Sequence, residues 1–425
     1  MKLNNMVTGS YEAFNHYSPG AKIVLLHPRS RYRSVLIARL LNSPEYQTLY
    51  YAMGPDDVSV PAFLAGLRHN LASQHPEFGR HLDLTEDRPG VGKMEHWLSA
   101  LAADLSEWTT NPFLLILDEY DRADGADDIQ QFIEQLVPLM PPHGKIILNS
   151  RTLPRLSWVS LLARNLAVIL EDEHLVVSDF YDHRRHPNGP RLEVTALGPG
   201  YVSINNNLIS TWEGHLPRLL FFFALDRPTV TRSEICQAFW PDLDVDQAVN
   251  VFHVTKRRLH KALGEDVLVH IDGYYRVSPE LNVVYDVVDF VGALVRARAA
   301  AEQDKVQYWQ EAINLYRGPF LQGHDDPWIV ARRTDFLNGY MEAVIQMAEV
   351  RHARGAAEHA LRLYLRALQE DPSREDLHRR VMQLYAEMGR RSEAAAHFQR
   401  LQREFKAARR KLSPETEEVY RAIMA

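Results

Sequence analysis

The sequence predicts a multidomain chain: an α/β domain built on a parallel sheet, then a smaller α+β unit, then an all-helical array. Three observations carry this. The chain has 425 residues, more than one hydrophobic core usually serves, so roughly two to four domains are expected. Short apolar runs separated by helix-length stretches fill residues 1–175, and from about Asp289 onward apolar positions recur only at helical spacing. Hydrophobic residues make up 46% and charged residues 24%, which excludes long disordered or fibrous segments.

In the first domain, 1–175, the runs Ile23-Val24-Leu25-Leu26, Thr48-Leu49-Tyr50-Tyr51, Phe113-Leu114-Leu115-Ile116-Leu117, Ile146-Ile147-Leu148 and Ala167-Val168-Ile169-Leu170 read as parallel strands buried on both faces. The pattern breaks over 176–190, where Asp182-His183-Arg184-Arg185-His186 and Pro187-Asn188-Gly189-Pro190 read as a linker. The second unit, 191–288, opens with alternation at Leu192, Val194 and Ala196 and an Asn205-Asn206-Asn207 turn. The third, 289–425, contains a repeat: Gly355 and Gly389, Ala360 and Ala394, Tyr364 and Phe398 lie 34 residues apart. That period, with small and aromatic positions in register, is the tetratricopeptide pattern, and Asp371-Pro372 ends one helix where such repeats end theirs.

Charge and cysteine usage narrow the function classes. The formal net charge is −7, and 191–290 holds nine Lys and Arg against thirteen Asp and Glu, so no domain is globally basic. Cys236 is the only cysteine, which excludes an internal disulfide framework and suits a reducing compartment. It sits on an apolar helix side and reads as a structural thiol. No apolar run approaches ~18 residues and no signal sequence is evident, so a cytoplasmic protein without a membrane partner is expected. No Ser-His-Asp or Cys-His arrangement can be inferred from the spacing, and the acid run from Asp118 to Asp128 lacks a complete calcium loop, so neither a catalytic set nor a metal site is assigned.

The middle unit carries the most informative pattern. Thr231-Arg232-Ser233-Glu234 reads as a capping box opening a short helix. A second helix is expected over about 246–263. Ala248, Phe252, Thr255, Leu259 and Leu263 share one face of it, and Asn250, His253, Val254, Arg257 and Lys261 lie opposite, with Arg258 on the flank. No acidic residue occurs between Gln247 and Gly264, so the field is locally cationic although the unit is acidic. Val267–Ile271 and Tyr274–Val277, joined by Asp272-Gly273, read as a hairpin. Helix, turn, basic helix and hairpin is the order of a winged helix-turn-helix. There the second helix enters the major groove, Asn and Arg read bases, Lys meets phosphate, and Arg276 reaches the backbone.

The stretch Asn250-Val251-Phe252-His253-Val254-Thr255-Lys256-Arg257-Arg258-Leu259 resembles the recognition helix of OmpR/PhoB-type winged helices in the SARP family of bacterial transcriptional activators. Leu197-Gly198, Trp240-Pro241 and Gly273-Tyr274-Tyr275-Arg276-Val277 are similar to the same family. Leu315-Tyr316-Arg317-Gly318-Pro319-Phe320-Leu321, Pro327-Trp328, Leu377-His378-Arg379-Arg380-Val381-Met382, Gly389-Arg390-Arg391-Ser392-Glu393-Ala394 and Ser413-Pro414-Glu415-Thr416 resemble its bacterial transcriptional activation domain. The resemblance implies a sequence-specific regulator, most simply an activator. Double-stranded DNA would be its partner, and the helical array would serve self-association on DNA or contact with RNA polymerase. The family more often has an apolar residue where Lys256 stands, so its ammonium is expected to snorkel outward and meet phosphate.

The first domain resembles the ATP-binding module of maltose-regulator-like factors in the STAND class of P-loop NTPases. The resemblance rests on Phe113–Glu119 as a Walker B strand, Ile146-Ile147-Leu148-Asn149-Ser150-Arg151-Thr152 as the following strand, and Met53-Gly54-Pro55-Asp56-Asp57 and Pro61-Ala62-Phe63-Leu64 between. It implies Asp118 and Glu119 near Mg²⁺ and an attacking water. The phosphate loop departs from the pattern. In His27-Pro28-Arg29-Ser30-Arg31-Tyr32-Arg33-Ser34, His27 and Tyr32 replace both glycines and Arg33 replaces the lysine. Arg33 keeps a charge and Ser34 a metal-binding hydroxyl, so ATP with Mg²⁺ remains an open cofactor. A degenerate, non-enzymatic sensory module is the expectation, and the alternative is a STAND-type ATPase whose output is DNA binding.

Overall fold

The computed structural model describes residues 2–72, 75, 76, 78–82, 93–178, 180 and 188–425. The His183–His186 cluster and most of the expected linker lie outside the described residues. After α1 (Lys2–Tyr17) come β1 (Ile23–Leu26), α2 (Arg33–Leu41), β2 (Gln47–Ala52), α3 (Val60–Ala72), α4 (Lys93–Trp108) and β3 (Phe113–Asp118). These are followed by α5 (Asp127–Leu136), β4 (Gly144–Asn149), α6 (Trp158–Ala163), β5 (Ala167–Glu171) and β6 (His174–Leu175). The sheet order is β2-β3-β4-β1-β5-β6, with β1 to β5 parallel and β6 antiparallel to β5. Each apolar run of the sequence is one of its strands. Successive residues face opposite sides: Val24, Leu26, Leu114 and Ile116 pack with Phe14, Leu36 and Leu40, whereas Ile23, Leu25, Leu115 and Leu117 pack with Phe63 and Phe132.

The second unit is a four-stranded sheet, order β12-β7-β8-β9, made of β7 (Arg191–Thr195), β8 (Tyr201–Ile204), β9 (Asn207–Leu208) and β12 (Asn282–Tyr285). Between β9 and β12 lie α7 (Leu216–Leu225), α8 (Arg232–Phe239), α9 (Val245–Leu263) and the hairpin β10 (Leu268–Ile271) with β11 (Tyr274–Val277). The helical array then runs α10 (Asp286–Ala299), α11 (Lys305–Leu315), α12 (Pro327–Ala353), α13 (Ala357–Glu370), α14 (Glu375–Glu387), α15 (Arg391–Ala407) and α16 (Pro414–Met424). It begins at Asp286, three residues before the expected Asp289, because the Asp286 carboxylate accepts the backbone N–H groups of Ala196 (2.8 Å) and Leu197 (3.0 Å). Burial pushes that carboxyl up to about 6 despite these donors. The 34-residue register holds in space: Ala360, Ala394, Tyr364 and Phe398 are all buried. Among the described residues no helix is long and apolar enough to cross a membrane.

The three units share one core. Every residue of α6 is buried, because α6 lies against α10 and α12. A Cβ on Gly339 in α12 would stand 2.7 Å from Leu294 Cδ1 and 3.1 Å from the Ala163 carbonyl oxygen, so close helix approach requires glycine there. Arg298 of α10 donates to the carbonyl oxygens of Leu162 (2.6 Å) and Ala163 (2.9 Å), satisfying the end of α6.

An ion-pair cluster fixes the junction. Arg332 of α12 binds both Asp226 oxygens, at 2.8 and 2.9 Å, and Glu134 of α5 at 3.0 Å. Arg227 approaches Glu134 at 3.4 Å, and Ser157 donates its hydroxyl to Asp226 (3.1 Å) and its amide to Glu134 (3.0 Å). Burial alone would raise the Glu134 carboxyl, but Arg227 and Arg332 outweigh it and hold it down at about 2. Nearby, Arg155 joins Asp127 (2.7 Å) of α5 to Glu234 of α8, and the Thr231 hydroxyl donates to Asp127 (2.7 Å).

A second buried polar chain lies in the array. His378 Nδ1 and His397 Nε2 are 2.8 Å apart, His378 Nε2 is 3.1 Å from the Pro372 carbonyl oxygen, and Arg400 donates to His397 Nδ1 at 2.9 Å. One assignment satisfies all three contacts: both imidazoles neutral, each with its proton on Nε2. Burial, then His378 and Arg400, holds His397 at about 3.

Two outcomes follow from these clusters. Arg332→Ala strands Asp226 and Glu134 and is expected to cost about 3–5 kcal/mol in urea denaturation. For the histidine pair the folded pKa lies below the unfolded one, so stability is fully present above about 6.5 and is lost as pH falls. At pH 4 the loss is about 3 kcal/mol. His397→Gln should flatten that decline relative to the parent. The comparison cancels Asp124 and Asp286, both pushed up to about 6 by burial and acting in the opposite sense.

Candidate nucleic-acid interface

The capping box expected at α8 is present: Glu234 N donates to Thr231 Oγ (3.0 Å) and Thr231 N to Glu234 (2.7 Å). Residues 240–244 then turn the chain into α9. Asp244 caps α9 by accepting the Gln247 N–H at 2.9 Å, which places its start at Val245. Ala248, Phe252, Thr255, Leu259 and Leu263 are the buried residues of α9. Phe252 meets the Tyr275 ring edge-on at 4.9 Å, so the hairpin sets the depth of α9. Asp272 (φ 52°) and Gly273 (φ 89°) make the tight turn with two positive φ values. Val230 and Tyr275 exchange two backbone hydrogen bonds of 2.8 Å, an isolated bridge against the edge of the hairpin.

On the outer face Asn250, His253, Arg257, Arg258 and Lys261 are exposed, and Val254 is 45% exposed, an unusual solvent position for a β-branched residue. Lys256 is half-buried, with its ammonium 5.4 Å from the centre of the Tyr275 ring, a cation–π position between the core and the outer face. Glu213 was not singled out from the sequence. It pairs with Lys261 and lies 3.8 Å from Arg258, and the Lys261 hydrogen bond draws its carboxyl below the usual range. The C-terminal half of the basic face is therefore partly neutralised, while Asn250, His253 and Arg257 carry no such counter-charge in the ion pairs of the described residues.

Arg276 stands apart from these residues. It lines a cleft that the hairpin forms with the first domain, together with Tyr274, Ile271, His27, Arg29, Asp124 and Arg151. Arg155 closes the contact with its guanidinium 5.4 Å from the Tyr274 ring centre.

The candidate nucleotide residues do gather at the carboxyl ends of β1, β3 and β4, but Arg33, Asp118 and Glu119 are engaged by the protein itself. Arg33 donates through Nη1 to the carbonyl oxygens of Pro28 (2.7 Å) and Ser150 (2.7 Å). The amides of Arg31 (2.8 Å) and Tyr32 (3.4 Å) donate to the carboxylate of Asp172, an acceptor that sequence reasoning missed. Asp118 accepts from Tyr50 (2.7 Å) and Asn149 (2.6 Å). Glu119, at φ 51°, pairs with Arg122. Ser34 is exposed in the first turn of α2. Among the described residues no group of three or more metal-binding side chains occurs.

Comparison with known proteins gives three findings. Residues 285–424 match the bacterial transcriptional activator domain, a segment that starts one residue before α10. The chain is similar to Regulatory protein AfsR of Streptomyces griseus, at 25% identity over 211 residues, 49% of this chain and 22% of that protein. It thus spans under a quarter of that relative. A solved structure, Mycobacterium tuberculosis EmbR in complex with low affinity phosphopeptide, is similar at 20% identity with a TM-score of 0.45, covering 55% of this chain and 65% of that one. The family match thus covers residues 285–424, about a third of the chain, and the similarity to AfsR stands beside it.

Proposed function

We propose that the chain is a sequence-specific DNA-binding regulator whose second unit is a winged helix-turn-helix with α9 in the major groove. The observation that carries this reading is the outer face of α9: Asn250, His253, Val254 and Arg257 are exposed together on a helix whose opposite face is locked to the core. Asn and Arg there can pair bidentately with adenine and guanine. Arg258 and Lys261 reach phosphate only by exchanging Glu213 for it. The array beyond, read as tetratricopeptide-like, offers the surface for a second copy or for RNA polymerase.

The first domain fits the reading of a P-loop-NTPase-like fold kept as a sensor, without hydrolysis. ATP with Mg²⁺ needs loop amides free for phosphate and a carboxylate free for metal-bound water. Here the amides face Asp172 and the carboxylate of Asp118 faces Tyr50 and Asn149. These internal contacts do not suit that cofactor and favour the sensor reading over the ATPase alternative.

Selection of randomised oligonucleotides by the full chain tests the DNA reading, and failure to enrich any sequence would refute it. On the selected site, Arg257→Ala should weaken binding by about 1–3 kcal/mol and relax one base preference, whereas Lys261→Ala should mainly lower the salt slope. Glu213→Gln should raise affinity for unrelated DNA at low salt, because it uncovers two cations. In the first domain, Asp172→Asn keeps a residue tolerant of positive φ but removes the charge facing the loop. A stability loss of about 1 kcal/mol by thermal denaturation is expected.

A further inference from the structure

The cleft between the hairpin and the first domain has a volume of about 290 Å³. It lies beyond the carboxyl ends of the parallel strands, where α/β domains hold their ligands. Two of its polar atoms, Arg276 Nε and Asp124 Oδ1, are buried with no hydrogen-bond partner among the described residues. One is a donor and the other an acceptor, and leaving each unmet costs about 1–3 kcal/mol. Burial pushes the Asp124 carboxyl up to about 6, although Thr152 donates to its other oxygen at 2.6 Å. The rest of the wall is rich in guanidinium. Arg151 is 73% exposed, with Nε and Nη2 held by Asp121, and Arg29 is 45% exposed, with Nε 3.8 Å from Glu171.

A ligand that satisfies this wall needs a strong acceptor for Arg276 and a donor for Asp124. A phosphate ester provides both: its dianion suits several guanidinium groups at once, and a hydroxyl elsewhere on the molecule can donate to the carboxylate. Inorganic phosphate has no hydroxyl beyond the phosphate group itself. The first residues of the loop, His27 to Arg29, line this cleft, whereas its Arg31 and Tyr32 amides are turned to Asp172. We infer that the cleft is a binding site for a phosphorylated metabolite carrying a hydroxyl group, its phosphate held by Arg276, Arg29 and Arg151 and its hydroxyl by Asp124.

Calorimetric titration of the full chain with adenosine monophosphate, glucose 6-phosphate and inorganic phosphate, without magnesium, tests this. At least one ester should bind with a Kd below about 1 mM and about tenfold more tightly than inorganic phosphate. Arg276→Gln and Arg29→Gln should each weaken it about tenfold, and Asp124→Asn should narrow the preference for ester over inorganic phosphate. Circular dichroism melts of each variant separate lost binding from lost folding. Absence of binding by both esters up to about 5 mM overturns the site. So does binding that survives both arginine substitutions, or that depends on Ser34→Ala and not on Arg276→Gln, which would move it out of the cleft to the start of α2. No DNA enters the experiment, so its failure leaves the reading of α9 untouched.

Discussion

Arg332 is the point at which three units become one body. Its guanidinium reaches Asp226 at the end of α7 and Glu134 on α5 from its own place on α12. A charge taken so far out of water is tolerated only when every partner is present. The cluster therefore demands that the α/β domain, the middle unit and the array be docked together, and the burial of α6 against α10 and α12 depends on the same docking. A weaker surface interaction would leave the domains free to reorient, the usual condition for interfaces within a chain. Because docking is fixed, the hairpin stands where Tyr274 meets Arg155, and the cleft exists at all.

Much of this was legible in local pattern. The five buried residues of α9 are the five that share a helical face in the sequence. The Asp272-Gly273 turn, the Thr231–Glu234 box and the apolar strands of the first sheet were equally readable, because periodicity and turn chemistry act within a few residues. What could not be read was long-range polar pairing. Asp172 lies 141 residues from Arg31, Asp286 lies 90 from Ala196, and Glu213 lies 48 from Lys261. A single carboxylate in a loop has no period, and its partner is a backbone amide or a cation that any fold could present. The same blindness put the start of the array at Asp289, since only the contact with Ala196 and Leu197 marks Asp286 as its first residue.

The loop His27–Ser34 is held by groups of the protein itself. With Tyr32 at φ −110°, the Arg31 and Tyr32 amides meet the carboxylate of Asp172 on the β5–β6 turn. Arg33, where a lysine would meet phosphate, instead ties the loop to the end of β4 through the Ser150 carbonyl oxygen. Both contacts tie the loop down, and they make the carboxyl ends of the strands a fixed wall for the cleft.

That wall joins the first domain, through the hairpin, to the unit proposed to read DNA. Arg276 and Tyr274 belong to the element that packs on Phe252 of α9 through Tyr275, yet they also line the cleft. A guanidinium bound to a metabolite phosphate is not available to a DNA phosphate, so the two ligands would draw on one donor. Thermodynamic linkage then makes the effect reciprocal: the factor by which the metabolite lowers DNA affinity is the factor by which DNA lowers metabolite affinity. No rearrangement of α9 is needed, since its outer residues stay exposed throughout. Under the proposed DNA reading, such a coupling would act on phosphate contacts, hence on overall affinity and salt dependence, and would leave base preference at Asn250 and Arg257 as it was.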